Sequence, residues 1–179
     1  IEPPCINNSD EYTNIQGSQV YVGFVHIKCL QDKLVELILE ERRTNGNYLH
    51  LQDFIERTNV GIEQLDTLIS IGAFRFTGKS KKHLLWQANF LQKKNQPLLH
   101  NGPALFREPP VEFTLPELPD ERLDDLYDQI EILGFPLSNP FELVDDDPGK
   151  YIKATELSLN KGKTVSALTY FIASEHVIT

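Results

Sequence analysis

Apolar residues recur at helical spacing in several stretches of the first half of the chain. The stretch at residues 30–45 puts one apolar face on a helix, and further stretches with the same period begin at Leu51 and Ile62. Ser80 is placed to cap a fourth helix, whose apolar positions are Leu84, Leu85, Ala88 and Leu91. The pattern therefore predicts a helical domain over residues 20–94.

Other patterns lie on either side of this domain. Residues 1–19 contain turn-forming residues without a period, which predicts a loop. Residues 95–119 contain six prolines and predict an extended linker, because proline disrupts helix interiors and cannot donate a hydrogen bond in a sheet. Residues 120–150 predict an acidic helix and a turn. A β-branched and aromatic run at residues 163–172 predicts a strand.

Composition narrows the class of protein. The 179 residues are 40% hydrophobic and 24% charged, which excludes a wholly disordered chain. No apolar run reaches the roughly 20 residues that span a bilayer. With only two cysteines, Cys5 and Cys29, a disulfide framework is excluded and a reducing compartment is favoured. Because the chain contains no methionine and stops beside a predicted strand, we expect it to be a piece of a longer polypeptide.

Charge is strongly segregated along the chain, whose net charge is −9. Residues 20–101 carry eleven Lys and Arg against eight Asp and Glu, whereas residues 102–179 carry six against fifteen. No acidic residue lies between Asp66 and Glu108. This basic interval is compatible with a solvated lysine-rich helix face or with a site for a polyanion, and composition leaves both open.

The sequence contains no complete active site. Asp145, Asp146 and Asp147 have the D-x-D spacing of two-metal sites, but the Pro148-Gly149 that follows predicts a solvated turn instead. The five histidines lack metal-ligand spacing, and we expect no catalytic residue, metal or cofactor in this chain.

Two short turns that lead toward helices are better candidates, at residues 28–31 and 71–74. A turn before a helix N-terminus directs unpaired N–H groups and the positive end of the helix dipole at a ligand, which favours phosphate. Lysines at the start of the following helix would strengthen such a site. The predicted DNA-binding residues are Lys28, Lys33, Gly72, Thr77, Gly78, Lys79, Ser80, Lys81 and Lys82.

Several segments resemble one protein family. YVGFVHIKCL (21–30), LVELILEERR (34–43), LQDFIER (51–57) and LISIGAF (68–74) are similar to the region after the fingers of bacterial DNA polymerase III alpha subunits. The opening PPCINNS (3–9) resembles the family's P-P-x-I-N-x-S segment, and EILGFPLSNP (131–140) resembles its L-G-x-x-x-x-x-x-P element. These segments occur in the family's order.

The resemblance implies a mainly α fold: a tandem helix-hairpin-helix bundle over residues 20–94, then the linker, the acidic helix, and the first strands of an OB domain over residues 151–179. It implies binding of duplex DNA, of the sliding clamp and of other replicase subunits in the bacterial cytoplasm, with no membrane partner. The polymerase activity and its Mg²⁺ would belong to the parent protein, because the family's catalytic aspartates have no counterpart in this chain.

One departure concerns the first hairpin. The family usually has G-x-G there, whereas this sequence has Cys29 and Gln31. Side chains at these positions hold a phosphate further from the backbone. We therefore expect the main DNA contact at the second turn, which keeps Gly72 and the lysines, although Gly72 is equally compatible with an ordinary helix C-cap.

The family's clamp-binding peptide is a short Q-x-x-L-F-like motif in an extended segment. Gly102, Pro103, Ala104, Leu105 and Phe106 fit its position and its Leu-Phe pair but lack the glutamine. Residues 96–100 contain the glutamine but lack the phenylalanine. We favour residues 102–106, and the alternative is that Leu105 and Phe106 only anchor the linker.

Three functional hypotheses follow. The first is a non-catalytic part of a replicative polymerase that binds duplex DNA and the clamp. The second is a protein-interaction module whose hairpins no longer bind DNA. The third, a helix-hairpin-helix part of a repair nuclease or ligase, is disfavoured by the segments at residues 3–9 and 131–140.

Overall fold

The computed structural model describes residues 1–94 and 122–171, in two compact units, Ile1–Leu137 and Ser138–Thr179. The described residues of the first unit, 1–94 and 122–137, form an antiparallel pair of short strands, β1 (Asn14–Gln16) and β2 (Gln19–Tyr21), and five α-helices. The helices are α1 (Asp32–Asn45), α2 (Leu51–Thr58), α3 (Ile62–Ser70), α4 (Lys81–Lys94) and α5 (Arg122–Leu133). The mainly helical fold predicted from the sequence is confirmed.

The helices follow the predicted apolar periods. Each of α1 to α4 buries its apolar stripe in one core, which also receives Leu133 of α5. Three aromatic rings run through the centre of this core: Tyr48 meets Phe54, and Phe54 meets Phe74, both edge-to-face with ring centroids 5.0 Å apart. Such edge-to-face pairs stabilise a core beyond the area that they bury.

The N-terminal segment is anchored to this unit, and the range of the predicted loop, residues 1–19, also contains strand β1 and the first residue of β2. Strands β1 and β2 pair with Ile15 opposite Val20. Two arginines hold residues 3–9 by their carbonyl groups: Arg42 donates to the Ile6 and Ser9 oxygens, and Arg75 donates to the Pro3 and Pro4 oxygens. These long-range hydrogen bonds leave no local periodic signal, so the sequence pattern does not reveal them.

A tight backbone contact fixes the segment that enters the first hairpin. A Cβ atom at Gly23 would lie 2.3 Å from the Tyr12 carbonyl carbon and 2.5 Å from the Thr13 nitrogen. Only glycine fits this approach, since both neighbours are backbone atoms. A 3₁₀ turn, Phe24–His26, follows directly and leads into residues 28–31.

The second unit is described over residues 138–171 and contains three 3₁₀ helices, Pro140–Leu143, Pro148–Lys150 and Ala154–Asn160. Its described residues from 163 onward form no strand, which differs from the predicted strand over residues 163–172. In this range the backbone hydrogen bonds are from Ile152 N to Ser166 O and from Lys163 N to Asn160 O, both of 3.0 Å, and they form no ladder. A strand requires a continuous ladder to a neighbour, so β-propensity alone did not produce one here.

Two predictions lie outside this description. The linker over residues 95–119, with both candidate clamp peptides at residues 96–100 and 102–106, falls within residues that the structure does not describe. In residues 1–94 and 122–171, no helix is long and apolar enough to cross a membrane.

Candidate nucleic-acid interface

The first hairpin, residues 28–31, connects the 3₁₀ turn to α1. Cys29 has φ of 62°, which is the left-handed conformation that glycine adopts more readily. The backbone thus makes a left-handed bend at this position although a side chain is present. Cys29 is exposed on the surface.

The structure places a second, similar turn between α2 and α3, where sequence reasoning predicted none. Its bend lies at Asn59, whose φ of 47° is again left-handed, and Gly61 is the N-cap of α3. Asparagine tolerates this conformation better than most residues. An Asn-x-Gly triplet between two helical periods is the signal that could have indicated this turn.

The two turns are joined by one side chain. The Gln64 amide donates from Nε2 to the Cys29 carbonyl at 2.9 Å, and its Oε1 accepts from the Gln31 N–H at 2.9 Å. Residues of both turns and of the first turns of α1 and α3 line a shared groove of about 490 Å³. The two helix N-termini therefore open onto one surface.

Neither of these N-termini is capped by the side chain of its N-cap residue, which is Gln31 in α1 and Gly61 in α3. The N–H groups of Asp32 and Lys33 in α1 and of Ile62 and Glu63 in α3, with the positive ends of the two dipoles, can thus face an anion at the groove, whereas the Leu34 and Leu65 N–H groups already donate to the Gln31 and Gly61 carbonyls. Lys33 is exposed beside it, but Asp32 and Glu63 lie in the same first turns and oppose a negative ligand. The groove is therefore suited to bind a phosphate group with moderate strength.

The turn predicted as the main contact, residues 71–74, has another local role. Gly72, with φ of 80°, ends α3: its N–H donates to the Ile69 carbonyl and the Ala73 N–H donates to the Leu68 carbonyl, both at 2.9 Å. This is the hydrogen bonding of a helix C-cap, which was the alternative interpretation of Gly72.

The start of α4 is occupied by its own cap. Ser80 Oγ accepts from the His83 N–H at 3.2 Å, at the position where a phosphate oxygen would bind. Thr77 closes the preceding 3₁₀ turn, and Gly78 follows it with φ of 69°. Lys79 is exposed at this point.

Two of the predicted lysines are engaged by the acidic helix. Lys81 Nζ lies 2.6 Å from Asp125 Oδ1 and 2.7 Å from Asp128 Oδ2, and Lys82 Nζ lies 3.9 Å from Asp124 Oδ2. Burial lowers the pKa of Lys81, but the hydrogen bonds to Asp125 and Asp128 outweigh that effect and raise it. Lys81 is therefore protonated at neutral pH, and the carboxylates of Asp125 and Asp128 balance its positive charge.

Lys28 of the first hairpin also contacts α5. Its backbone N–H donates to the Ile132 carbonyl at 2.9 Å, and its Nζ donates to the Glu131 carbonyl at 3.0 Å. The predicted residues thus form two groups in the structure: Lys28 and Lys33 at the first hairpin, and the remainder between Gly72 and Lys82.

The aspartate run in the second unit behaves as a turn. Asp146 accepts hydrogen bonds from Lys150 and Tyr151, and the bond from Lys150 holds the pKa of Asp146 below its usual range. Within residues 1–94 and 122–171, no three His, Cys, Asp or Glu side chains are grouped as metal ligands.

Similarity to known proteins agrees with this geometry. Residues 1–84 match the family described as the helix-hairpin-helix motif. The chain is 32% identical to the DNA polymerase III subunit alpha of Aquifex aeolicus over 142 residues, and 33% identical to that of Staphylococcus epidermidis over 149 residues; each match covers 77% of this chain. It is 29% identical over 90 residues to the error-prone DNA polymerase of Mycolicibacterium paratuberculosis, a match that covers 49% of the chain.

These matches cover a small part of each relative. The aligned region corresponds to 11% of the Aquifex protein, 13% of the Staphylococcus protein and 8% of the error-prone polymerase.

Proposed function

The chain belongs to the DNA polymerase III alpha subunit family, and we propose that it binds the backbone of duplex DNA without reading base sequence. The observation that supports this most directly is the pair of helix N-termini at the shared groove. Gln64 keeps the turns at Cys29 and Asn59 together, so the N–H groups of α1 and α3 can face one sugar-phosphate strand. Contacts of this kind position a duplex and carry no base information.

The lysine patch at Lys79, Lys81 and Lys82 is a second part of the proposed DNA contact. Lys79 is exposed, whereas Lys81 and Lys82 are paired with α5 carboxylates. We therefore assign the primary DNA contact to the groove and a flanking contact to this patch. The sequence alone favoured the opposite assignment, with the main contact at the second turn and its lysines.

For the protein as a whole we propose DNA-directed DNA polymerase activity in replication. The relatives named as DNA polymerases support this proposal. Catalytic carboxylates and their Mg²⁺ would lie in other parts of such a polymerase. The proposed role of this region is to hold the duplex and to tether the polymerase to the sliding clamp through residues 102–106, with residues 96–100 as the alternative peptide.

The DNA proposal is tested by fluorescence anisotropy of the chain with a labelled duplex and the matching single strand. Affinity should fall steeply between about 50 mM and about 200 mM salt, because phosphate contacts release counterions. Lys33→Ala should lower the salt slope by about one unit, as expected for one lost contact. Arg43→Ala, at the other end of α1, removes the same charge from an exposed position and is the matched control.

The clamp proposal is tested by binding of the purified clamp to the same chain. Leu105→Ala combined with Phe106→Ala should abolish clamp binding and leave DNA affinity unchanged. Clamp binding that survives this change would move the assignment to residues 96–100.

A second candidate function is a protein-interaction module. It is favoured by Asp32 and Glu63, whose carboxylates lie at the two helix N-termini and disfavour phosphate. Absence of duplex binding at low salt, in a folded chain, would support this candidate over DNA binding.

A further inference from the structure

Helix α5 makes contacts with both groups of predicted DNA-binding residues. Near its beginning, Asp124, Asp125 and Asp128 face lysines at the start of α4. At its end, the Glu131 and Ile132 carbonyls accept from Lys28 of the first hairpin. A single acidic helix thus lies against the lysine patch to which the proposed function gives a flanking DNA contact, and against Lys28 of the first hairpin.

The ion pairs of α5 resemble contacts to phosphate. Lys81 has a carboxylate oxygen on two sides, at 2.6 Å and 2.7 Å, as a lysine between two phosphate oxygens would have. Lys79 and Lys81 line a cleft of about 190 Å³ together with Asp125 and Gln129. The carboxylate at Asp125 therefore occupies the space through which an anion would reach both lysines.

The ion pairs between α5 and the lysines can be broken by a competing anion. The Asp125 side chain is 48% exposed, and ion pairs at exposed positions contribute little and weaken with salt. Leu126 and Leu133 are buried, so α5 is also docked through apolar contacts. A polyanion of high charge density can displace the carboxylates from the lysines and thereby loosen the first turns of α5.

We propose that α5 is an acidic strap that competes with DNA phosphates for Lys81 and Lys82 and so limits the DNA affinity of this region. The strap is defined as residues 122–133. Binding of a duplex would displace it, because phosphate oxygens would replace the carboxylate oxygens at the ammonium groups of Lys81 and Lys82. This inference rests on the proposed DNA binding.

The test uses the full chain and compares variants in which carboxylates of the strap are replaced by uncharged amides. Asp125→Asn with Asp128→Asn should bind a duplex of roughly 20 base pairs about three- to tenfold more tightly near 50 mM salt, and its salt slope should steepen by about one unit, because Lys81 gains a phosphate. Glu40→Gln with Asp145→Asn makes the same change in net charge at exposed residues outside the strap and should change affinity less than about twofold.

Adding Lys81→Ala to the strap variant separates the released lysine from the general change in charge. The combined variant should return to the wild-type affinity. An equal gain with and without Lys81 would overturn the proposal, as would equal affinities of the strap variant and its charge-matched control.

Hydrogen exchange provides a measurement that does not depend on a variant's folding. The amides of α5 in the wild-type chain should exchange faster when duplex is bound than when it is absent. Unchanged exchange in α5 with DNA bound would overturn the strap and leave the DNA contact intact. Failure of every variant to bind DNA would overturn both proposals.

Discussion

Arg57 offers a quantitative test of how the first unit is held together. Its guanidinium donates to the Glu41 carbonyl at 2.7 Å and to the Gly46 carbonyl at 3.0 Å, and it lies 4.0 Å from the centroid of the Tyr48 ring. It also pairs with Glu41 Oε2 at 3.3 Å and with Asp53 Oδ2 at 3.4 Å. One side chain of α2 therefore secures the end of α1 and the loop that follows it.

Replacing Arg57 by alanine should cost about 3 kcal/mol of unfolding free energy. The two carbonyl hydrogen bonds contribute about 1 kcal/mol each. The Arg57 and Asp53 side chains are only 11% and 9% exposed, so removing the cation leaves a poorly solvated carboxylate, which costs about 1 kcal/mol or more. For a chain of this size the loss corresponds to a decrease in Tm of roughly 6–12 °C.

Urea and thermal unfolding followed by circular dichroism measure this loss. Arg57→Lys should recover part of it, because lysine keeps the charge but lacks the planar set of donors. Arg43→Ala removes an exposed arginine of α1 and should change stability by less than about 0.5 kcal/mol. Equal stabilities of the Arg57→Ala and Arg43→Ala variants would refute the reasoning.

Three further predictions concern particular positions. Gly23→Ala should cost about 1–3 kcal/mol in urea unfolding, because its Cβ would overlap backbone of Tyr12 and Thr13, whereas Gly61→Ala, with open space around its Cβ, should be nearly neutral. Burial raises the pKa of Tyr48 to about 12, so the folded state resists deprotonation of this side chain. Stability should therefore fall by on the order of 2 kcal/mol from this residue as pH rises from about 10 to about 12. The fall should be smaller by that amount in Tyr48→Phe, where Lys81, whose pKa is also raised, still contributes. Cys29→Gly removes about 1 kcal/mol of backbone strain at the left-handed position, but it costs a similar amount because glycine makes the unfolded chain more flexible. Stability should therefore be unchanged, and fluorescence anisotropy should show tighter duplex binding. Cys29→Ala is the control and should leave duplex binding unchanged.

The helices could be predicted from the sequence because their signals are local. The apolar period, the Ser80 cap and the glycines after α3 and α5 lie within a few residues of the boundaries that they indicate. The primary groove could not be placed, since it depends on Gln64 bridging to a turn 33 residues earlier in the chain. A local pattern holds no information about which turns become neighbours.

The ion pairs of the lysines could not be predicted from the sequence either. The acid-free interval between Asp66 and Glu108 was correctly identified as basic, but Lys81 is paired with Asp128, 47 residues away and beyond the linker. Segregation of charge along the chain did not indicate that the basic interval and the acidic helix contact each other.

We propose above that duplex DNA contacts the two helix N-termini at the shared groove, neither of which is capped by the side chain of its N-cap residue. The most direct test is an NMR titration of the ¹⁵N-labelled chain with duplex DNA, following backbone amides. The largest shifts should occur at Asp32, Lys33, Ile62 and Glu63, in the first turns of α1 and α3. Shifts confined to other parts of the chain, or no shifts at low salt, would contradict the account.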